Sequence, residues 1–270
     1  MAVIGTLLGG PALGIYSMAD SLARLPVEKI GALLSQVTPA FMATHQGDRD
    51  ALKRLTLTLT ETLALSMLPI AAGMLLLAPA CVGPLLGSRW LDIIAPLQVL
   101  AFAATVDAVG AVFFPVLVVT GGVRLSMYIG LTGSVVLPAA FYFGSAWGVV
   151  GVAAAYALVA PLLRIPAYLG VAHRTGLTLT RYLGALWPAL SAICIMALVM
   201  LGARALLPGR WPLVIRVGAE ALSGALAYLL LLTTLHRASV AHLYRCSAAC
   251  AGRLRQKRWP PCDDRPPVAA

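Results

Sequence analysis

Four charged residues sit in the largely apolar stretch from Gly14 to Gly47, clustered around a proline: Asp20, Arg24, Glu28 and Lys29, with Pro26 among them. Asp20, Arg24 and Glu28 recur at i, i+4 and i+8, which places them on one face of a helix. The aspartate precedes its arginine by four residues, the favourable order for an ion pair on a helix. Charged groups at bilayer depth cost several kcal/mol unless they meet protein or a water-filled cavity, so this stripe is expected to line a polar pathway. Pro26 removes one backbone hydrogen bond and is expected to kink the helix there. Ser35, Gln36 and Thr38 prolong the polar character up to Pro39. The plainer reading is that the charges snorkel to an interface or neutralise one another within a bundle.

Three other places carry ionisable groups in apolar surroundings. Asp107, in LQVLAFAATVDAVGAVFFPVL, is the acid deepest in a hydrophobic run. Left unpaired it would be protonated or bound to a cation, which makes it a candidate coupling-ion site; paired to a neighbouring helix it would be structural. Arg164, between Pro161 and Pro166, either snorkels or faces a cavity. Arg216 and Glu220 form an i, i+4 pair read as structural. No phosphate-binding glycine loop, HExxH or GxSxG occurs, and the four histidines are scattered, so the pattern argues against an enzyme. The five cysteines have neither CxxC spacing nor histidines at zinc-ligand spacing. Cys246 and Cys250 are read as tail thiols, and neither a metal nor another cofactor is expected.

The elements that must position these groups follow from hydropathy. The chain is 60% hydrophobic and 11% charged, against about 25% charged in an ordinary soluble domain. Apolar runs of about 20 residues recur along almost its whole length, the pattern of an all-α, polytopic membrane bundle. Seven full spans are expected, at 12–43, 51–80, 92–119, 124–145, 147–172, 182–206 and 212–236. Residues 1–11 are too short to span and read as the remnant of a truncated helix, punctuated by Gly9-Gly10-Pro11. Asp48 and Asp50 stand where the cap of the second helix is expected. Residues 237–270 form a basic, proline-containing tail, expected at the inner leaflet or disordered.

The net charge of +10 is read through topology rather than as a sign of nucleic-acid binding. Alternate loops at 45–54, 121–124 and 173–181, together with the tail, hold about thirteen Lys and Arg against about four on the opposite side. The positive-inside rule places the first set, and the C-terminus, in the cytoplasm. Without the tail the bias is six against four. Trp90, Trp147 and Trp211 then fall at the outer interface and Trp187 at the inner one.

The run LGIYSMADSLARLPVEKIGALLSQVTPAF, the following HQGDRDALKRL, the segment LPIAAGMLLLAPACVGPLLGSRWLDIIAPLQVLAF and the stretch FGSAWGVVGVAAAYAL together resemble a known family. It is the polysaccharide-transporter branch of the multidrug/oligosaccharidyl-lipid/polysaccharide flippase superfamily, and the resemblance covers roughly residues 5–185. It implies a flippase that moves a polyprenyl-pyrophosphate-linked oligosaccharide across the bacterial inner membrane. It also implies two six-helix lobes around a cavity. On that pattern residues 12–172 correspond to the second lobe, 173–236 to two additional helices, and a first lobe is missing. Arg24 and Lys29, then Arg164, are the expected contacts for an anionic lipid-linked oligosaccharide, with Asp20 and Glu28 tuning them. Membrane lipids, the missing lobe and polysaccharide-assembly proteins are the other expected partners. Three alternatives remain open: a cation-coupled small-molecule exporter using Asp107, a non-transporting scaffold for glycosyltransferases, and, more weakly because no loop carries an acidic catalytic motif, a membrane-embedded glycosyltransferase.

Overall fold

Apolar runs broken by glycine and proline become a bundle of long helices in the computed structural model, which describes residues 2–43, 49–206 and 213–234, with side chains over 4–29, 49–206 and 215–233. Helix α1 runs from Ala2 to Ala43 and α2 from Arg49 to Leu86. A 3-10 turn, Ser88–Ile93, leads into α3, Ile94–Gly110, and α4, Phe113–Val119. Helix α5, Val123–Gly144, joins α6, Gly148–Thr175, through a second 3-10 turn at Ser145–Trp147. The pair α7, Leu179–Leu206, and α8, Leu213–Thr234, completes the described fold, which contains no strand.

The membrane class is as expected. Five helical stretches among the described residues are long and apolar enough to cross a bilayer: Arg49–Leu86, Ser88–Val119, Val123–Thr175, Leu179–Leu206 and Ile215–Thr233. The expected count of seven is not reproduced by that measure. It takes α5 and α6 as one stretch, although the turn at Ser145–Trp147 divides them, and the charged helix α1 lies outside the set.

Local chemistry explains where helices bend. The first helical residues of α1 are set off from the rest by a kink at Gly9, within the expected Gly9-Gly10-Pro11 punctuation, where a φ of 83° and ψ of 173° are non-helical. A residue with a Cβ rarely adopts that φ, and Pro11 beyond it cannot donate a backbone bond to Leu7. The kink expected at Pro26 is not where α1 departs from helical geometry; among its described residues that departure falls at Gly9. The segment 92–119 is one span in length but two helices in structure. Pro115 cannot donate to Ala111, and the chain breaks at residues 111–112, with Ala111 N–H bonding to Ala108 O at 3.3 Å in 3-10 fashion. Asp50 lies in the first turn of α2, where its charge suits the helix dipole. Asp48, the side chains of Ser35, Gln36 and Thr38, Trp211, Cys246, Cys250 and the basic tail lie outside the described residues.

Helix α3 occupies the middle of the bundle, packing on α1, α2 and α6, while α5 covers α6 and the α7–α8 pair packs on α2. One core joins α1, α2, α3 and α6 through Tyr16, Ala19, Ala23, Val82, Leu97, Leu100 and Val152. A second gathers Phe113, Val116 and Leu117 of α4 against Ala167 and Val171 of α6. The third, Leu65, Val109, Ala192, Met196, Met200 and Tyr228, fixes the C-terminal pair.

Prolines inside α2 supply tertiary contacts rather than breaks. Pro69 cannot bond to Leu65 O, and that carbonyl instead accepts from the Tyr228 hydroxyl of α8 at 2.6 Å. Pro79 frees Leu75 O in the same way, and Gln98 Nε2 of α3 donates to it at 2.6 Å. Where water is excluded, a freed carbonyl must find a donor within the protein.

Candidate functional site

The ionisable residues of α1, α3 and α6 meet. Arg24 Nε donates to Asp20 Oδ1 at 2.7 Å, the i, i+4 pair expected from spacing. Arg24 Nη2 also donates to the Tyr156 hydroxyl at 2.9 Å, with its guanidinium 5.3 Å from the centre of that ring. Tyr156 in turn donates to Asp107 Oδ2 through a short contact. Asp107 Oδ1 accepts from Arg164, whose Nε and Nη2 lie at 3.0 and 2.9 Å. Five side chains on three helices thus form one continuous path, Asp20–Arg24–Tyr156–Asp107–Arg164.

Packing explains why this path can exist. Asp107 is buried at 7% exposure, so its carboxylate is held by donors rather than by water. Arg164 must thread past α3 to reach it, and Gly110, one turn beyond Asp107, leaves the room. A Cβ at Gly110 would stand 2.7 Å from Arg164 Cδ, far closer than carbon atoms pack. The two aspartates and two arginines cancel in formal charge, so a low-dielectric site carries no net charge.

Beside this path lies a cavity of about 580 Å³, walled by α3, α4, α5 and α6. Asp107, Tyr156 and Arg164 form its polar side. Phe114, Leu137, Pro138, Phe141 and Leu163 provide most of the rest, with Gly130, Gly133 and Ser134 opening space along α5. Ser134 Oγ donates to Leu131 O at 2.8 Å, so its hydroxyl hydrogen is already committed.

The candidates from sequence divide. Asp20, Arg24, Asp107 and Arg164 are joined, and Asp107 and Arg164 face the cavity. Glu28 and Lys29 are exposed on α1 and do not line it. Asp107 is not the unpaired acid that motivated a coupling-ion role: each oxygen has a donor, and the cation it meets is Arg164. A metal or ammonium ion would have to displace that guanidinium. Among the described residues no group of three His, Cys, Asp or Glu could hold a metal. Arg216 and Glu220 pair at 3.4 Å within α8, away from the cavity. Sequence alone does not mark Tyr156, because a tyrosine in the apolar run AAAYALVA carries no charge. Its only sequence signal is a hydroxyl that a span must satisfy internally.

Comparison with known proteins bears on the same helices. Residues 1–95 match a family model described as a polysaccharide biosynthesis protein. Over that first third the chain is similar to polysaccharide-biosynthesis proteins. It is 28% identical over 128 residues to the teichuronic acid biosynthesis protein TuaB of Bacillus subtilis (strain 168), a match covering 47% of this chain and 26% of that protein. It is 24% identical over 152 residues to an uncharacterized membrane protein in the cps region of Klebsiella pneumoniae, covering 56% of this chain and 31% of the relative. The matches therefore span about a quarter to a third of the length of these curated relatives. No solved structure matches the chain. The family region contains Asp20 and Arg24 but ends before Asp107, Tyr156 and Arg164, so the network joins it to helices beyond it.

Proposed function

We propose that the protein takes part in moving a lipid-linked oligosaccharide across the bacterial inner membrane during polysaccharide synthesis, as a transporter rather than an enzyme. One observation carries this reading. The region that matches a polysaccharide-biosynthesis family model supplies Asp20 and Arg24 to an intramembrane ion-pair network that ends in a mostly apolar cavity. Ionisable groups are retained in spanning helices chiefly where something polar passes or binds. Guanidinium groups suit phosphate and carboxylate, and the aromatic and aliphatic wall suits the body of a sugar or lipid carrier.

The network refines which cations serve an anionic cargo. Arg24 and Arg164 are each held by an aspartate, so the cargo's anion must compete with Asp20 and Asp107 for them. Lys29 and Glu28, exposed on α1, are available to the partner lobe that the resemblance implies. In this reading residues 12–172 act as one lobe, 173–236 as the additional helices and the tail as a cytoplasmic extension.

The test is export in cells. Replacing Arg24 and Arg164 together by Gln is expected to abolish surface polysaccharide and to accumulate its lipid-linked precursor on the cytoplasmic face, at unchanged membrane abundance. Normal export in that double variant would overturn the reading. Loss of small-molecule resistance instead would favour the exporter alternative, and lost co-purification of glycosyltransferases with flipping intact would favour the scaffold.

A further inference from the structure

We propose that the cavity takes one monoanionic group, a carboxylate or a phosphodiester, on Arg164, and that Asp107 takes up one proton as it enters. The proposal rests on the flippase reading only in drawing the anion from the cargo; the binding site stands on geometry.

The donors on the cavity wall decide where an anion can sit. Tyr156 donates its hydroxyl hydrogen to Asp107 and accepts from Arg24, so its hydroxyl is used in both directions. The Ser134 hydrogen is spent on Leu131 O. Arg164 contacts Asp107 through Nε and Nη2, both on the same oxygen, and neither contact uses Nη1. The guanidinium is therefore the donor that can turn to a ligand, at 23% side-chain exposure on the cavity wall.

Charge then sets the condition. The network is neutral as it stands. An anion added alone would leave one uncompensated negative charge beside the Asp107 carboxylate, in a medium where such a charge is costly. A proton on Asp107 removes both the repulsion and the excess charge. It also releases Arg164 from Oδ1, while the neutral carboxyl keeps an oxygen to accept from Tyr156. Charge balances with one anion and one proton entering.

No other ionisable group among the described residues is as well placed to absorb that change. Helix α6 brings Arg164 and Tyr156, and α1 brings Arg24, Asp20 and Tyr16. Helix α7 contributes Tyr182, whose ring packs against Phe113 of α4 and Tyr168 of α6. Helix α2 meets α3 near Val109 through the apolar Ala64 and Leu65. The cavity-lining residues of α4 and α5, Phe114 and Ile129 through Phe141, include no acid or base. Asp20, the other carboxylate of the network, does not line the cavity.

The experiment uses the full chain in lipid nanodiscs, titrated calorimetrically with diethyl phosphate or with glucuronate. Both are permanent monoanions near neutral pH, so any proton taken up belongs to the protein. Repeating the titration in buffers of different ionisation enthalpy counts that proton. The expected result is one proton per anion bound, and an affinity that falls about tenfold per pH unit while uptake is complete. Asp107→Asn should bind the anion without proton uptake or pH dependence, and Arg164→Gln should not bind it. Binding of diethyl phosphate alone identifies a phosphodiester as the anion, and binding of glucuronate alone identifies an acidic sugar. Failure of the protein to bind either anion, or binding with no proton taken up, overturns the proposal. The proton count is read on the unaltered chain, so a poorly folded variant does not decide the outcome. Proton-linked binding without any role in export would instead sink the flippase reading and leave this inference standing.

Discussion

Tyr156 turns two ion pairs into one network. Its hydroxyl accepts from Arg24 and donates to Asp107, so replacing it with Phe separates the α1 pair from the α3–α6 pair. Hydrogen bonds to charged groups contribute about 1.5–3 kcal/mol each. Tyr156→Phe is therefore expected to lower stability by about 2 kcal/mol or more, seen as a lower thermal midpoint in detergent at normal membrane abundance. Asp107→Ala should cost more than Asp107→Asn, because alanine leaves both Arg164 and the Tyr156 hydroxyl unsatisfied whereas asparagine leaves an acceptor. Equal midpoints for the two variants would show that Asp107 does not hold the network together. At this scale the sequence was half legible. Asp20 and Arg24 are four residues apart, and helical spacing alone pairs them. Asp107 and Arg164 are 57 residues apart, and nothing in one sequence brings them together. Tyr156 is uncharged, so no pattern of ions could point to it.

Proline acts at the scale of the element. In α2, Pro69 and Pro79 leave Leu65 O and Leu75 O without intrahelical donors, and Tyr228 and Gln98 answer them from other helices. A buried carbonyl left without a partner costs about 1–3 kcal/mol. Tyr228→Phe should therefore destabilise the protein by about that amount. In a Pro69→Ala background, where the backbone N–H is restored to Leu65 O, the same change should cost much less. Unfolding midpoints of the two single variants and the double variant measure this, and simple additivity would refute it. Hydropathy located α5, α6, α7 and α8 to within a few residues, while α2 runs on past the expected end at 80 to Leu86. It missed the division of 92–119 because an apolar run looks the same whether or not Pro115 interrupts its hydrogen bonds. The break near the start of α1 was legible in Gly9-Gly10-Pro11, because a φ of 83° suits glycine, whereas the further kink expected at Pro26 brings no departure from helical φ and ψ.

The chain as a whole alternates sides through its turns. The connections at 87–93 and 145–147 share one end of the bundle, and those at 120–122 and 176–178 share the other. Trp147, at 77% exposure, stands at the first end. At the second, Arg174 Nη1 donates to Thr120 O at 2.6 Å, a cation on the carbonyl end of α4. Positive charge at that end predicts that it faces the cytoplasm. A single cysteine replacing Ser145 should react with an impermeant maleimide added to intact spheroplasts, and one replacing Thr178 should react only after lysis. The opposite pattern would invert the topology. Membrane class was fully legible here because composition alone excludes water as the solvent for these surfaces. Which polar groups converge was not, because convergence depends on how α1, α3 and α6 pack.

The missing side chain at Gly110 has a consequence for ancestry. Arg164 reaches Asp107 past position 110, where a Cβ would stand 2.7 Å from the arginine stem. In the present protein Gly110→Ala should displace that stem and lower export and thermal midpoint together. Among descendants of the same gene, the two sites are then not free to drift apart. A lineage that acquires a larger residue at 110 is expected to have given up the arginine at 164 first, and the aspartate at 107 with it. The order of those losses in a family tree would record how the network was dismantled.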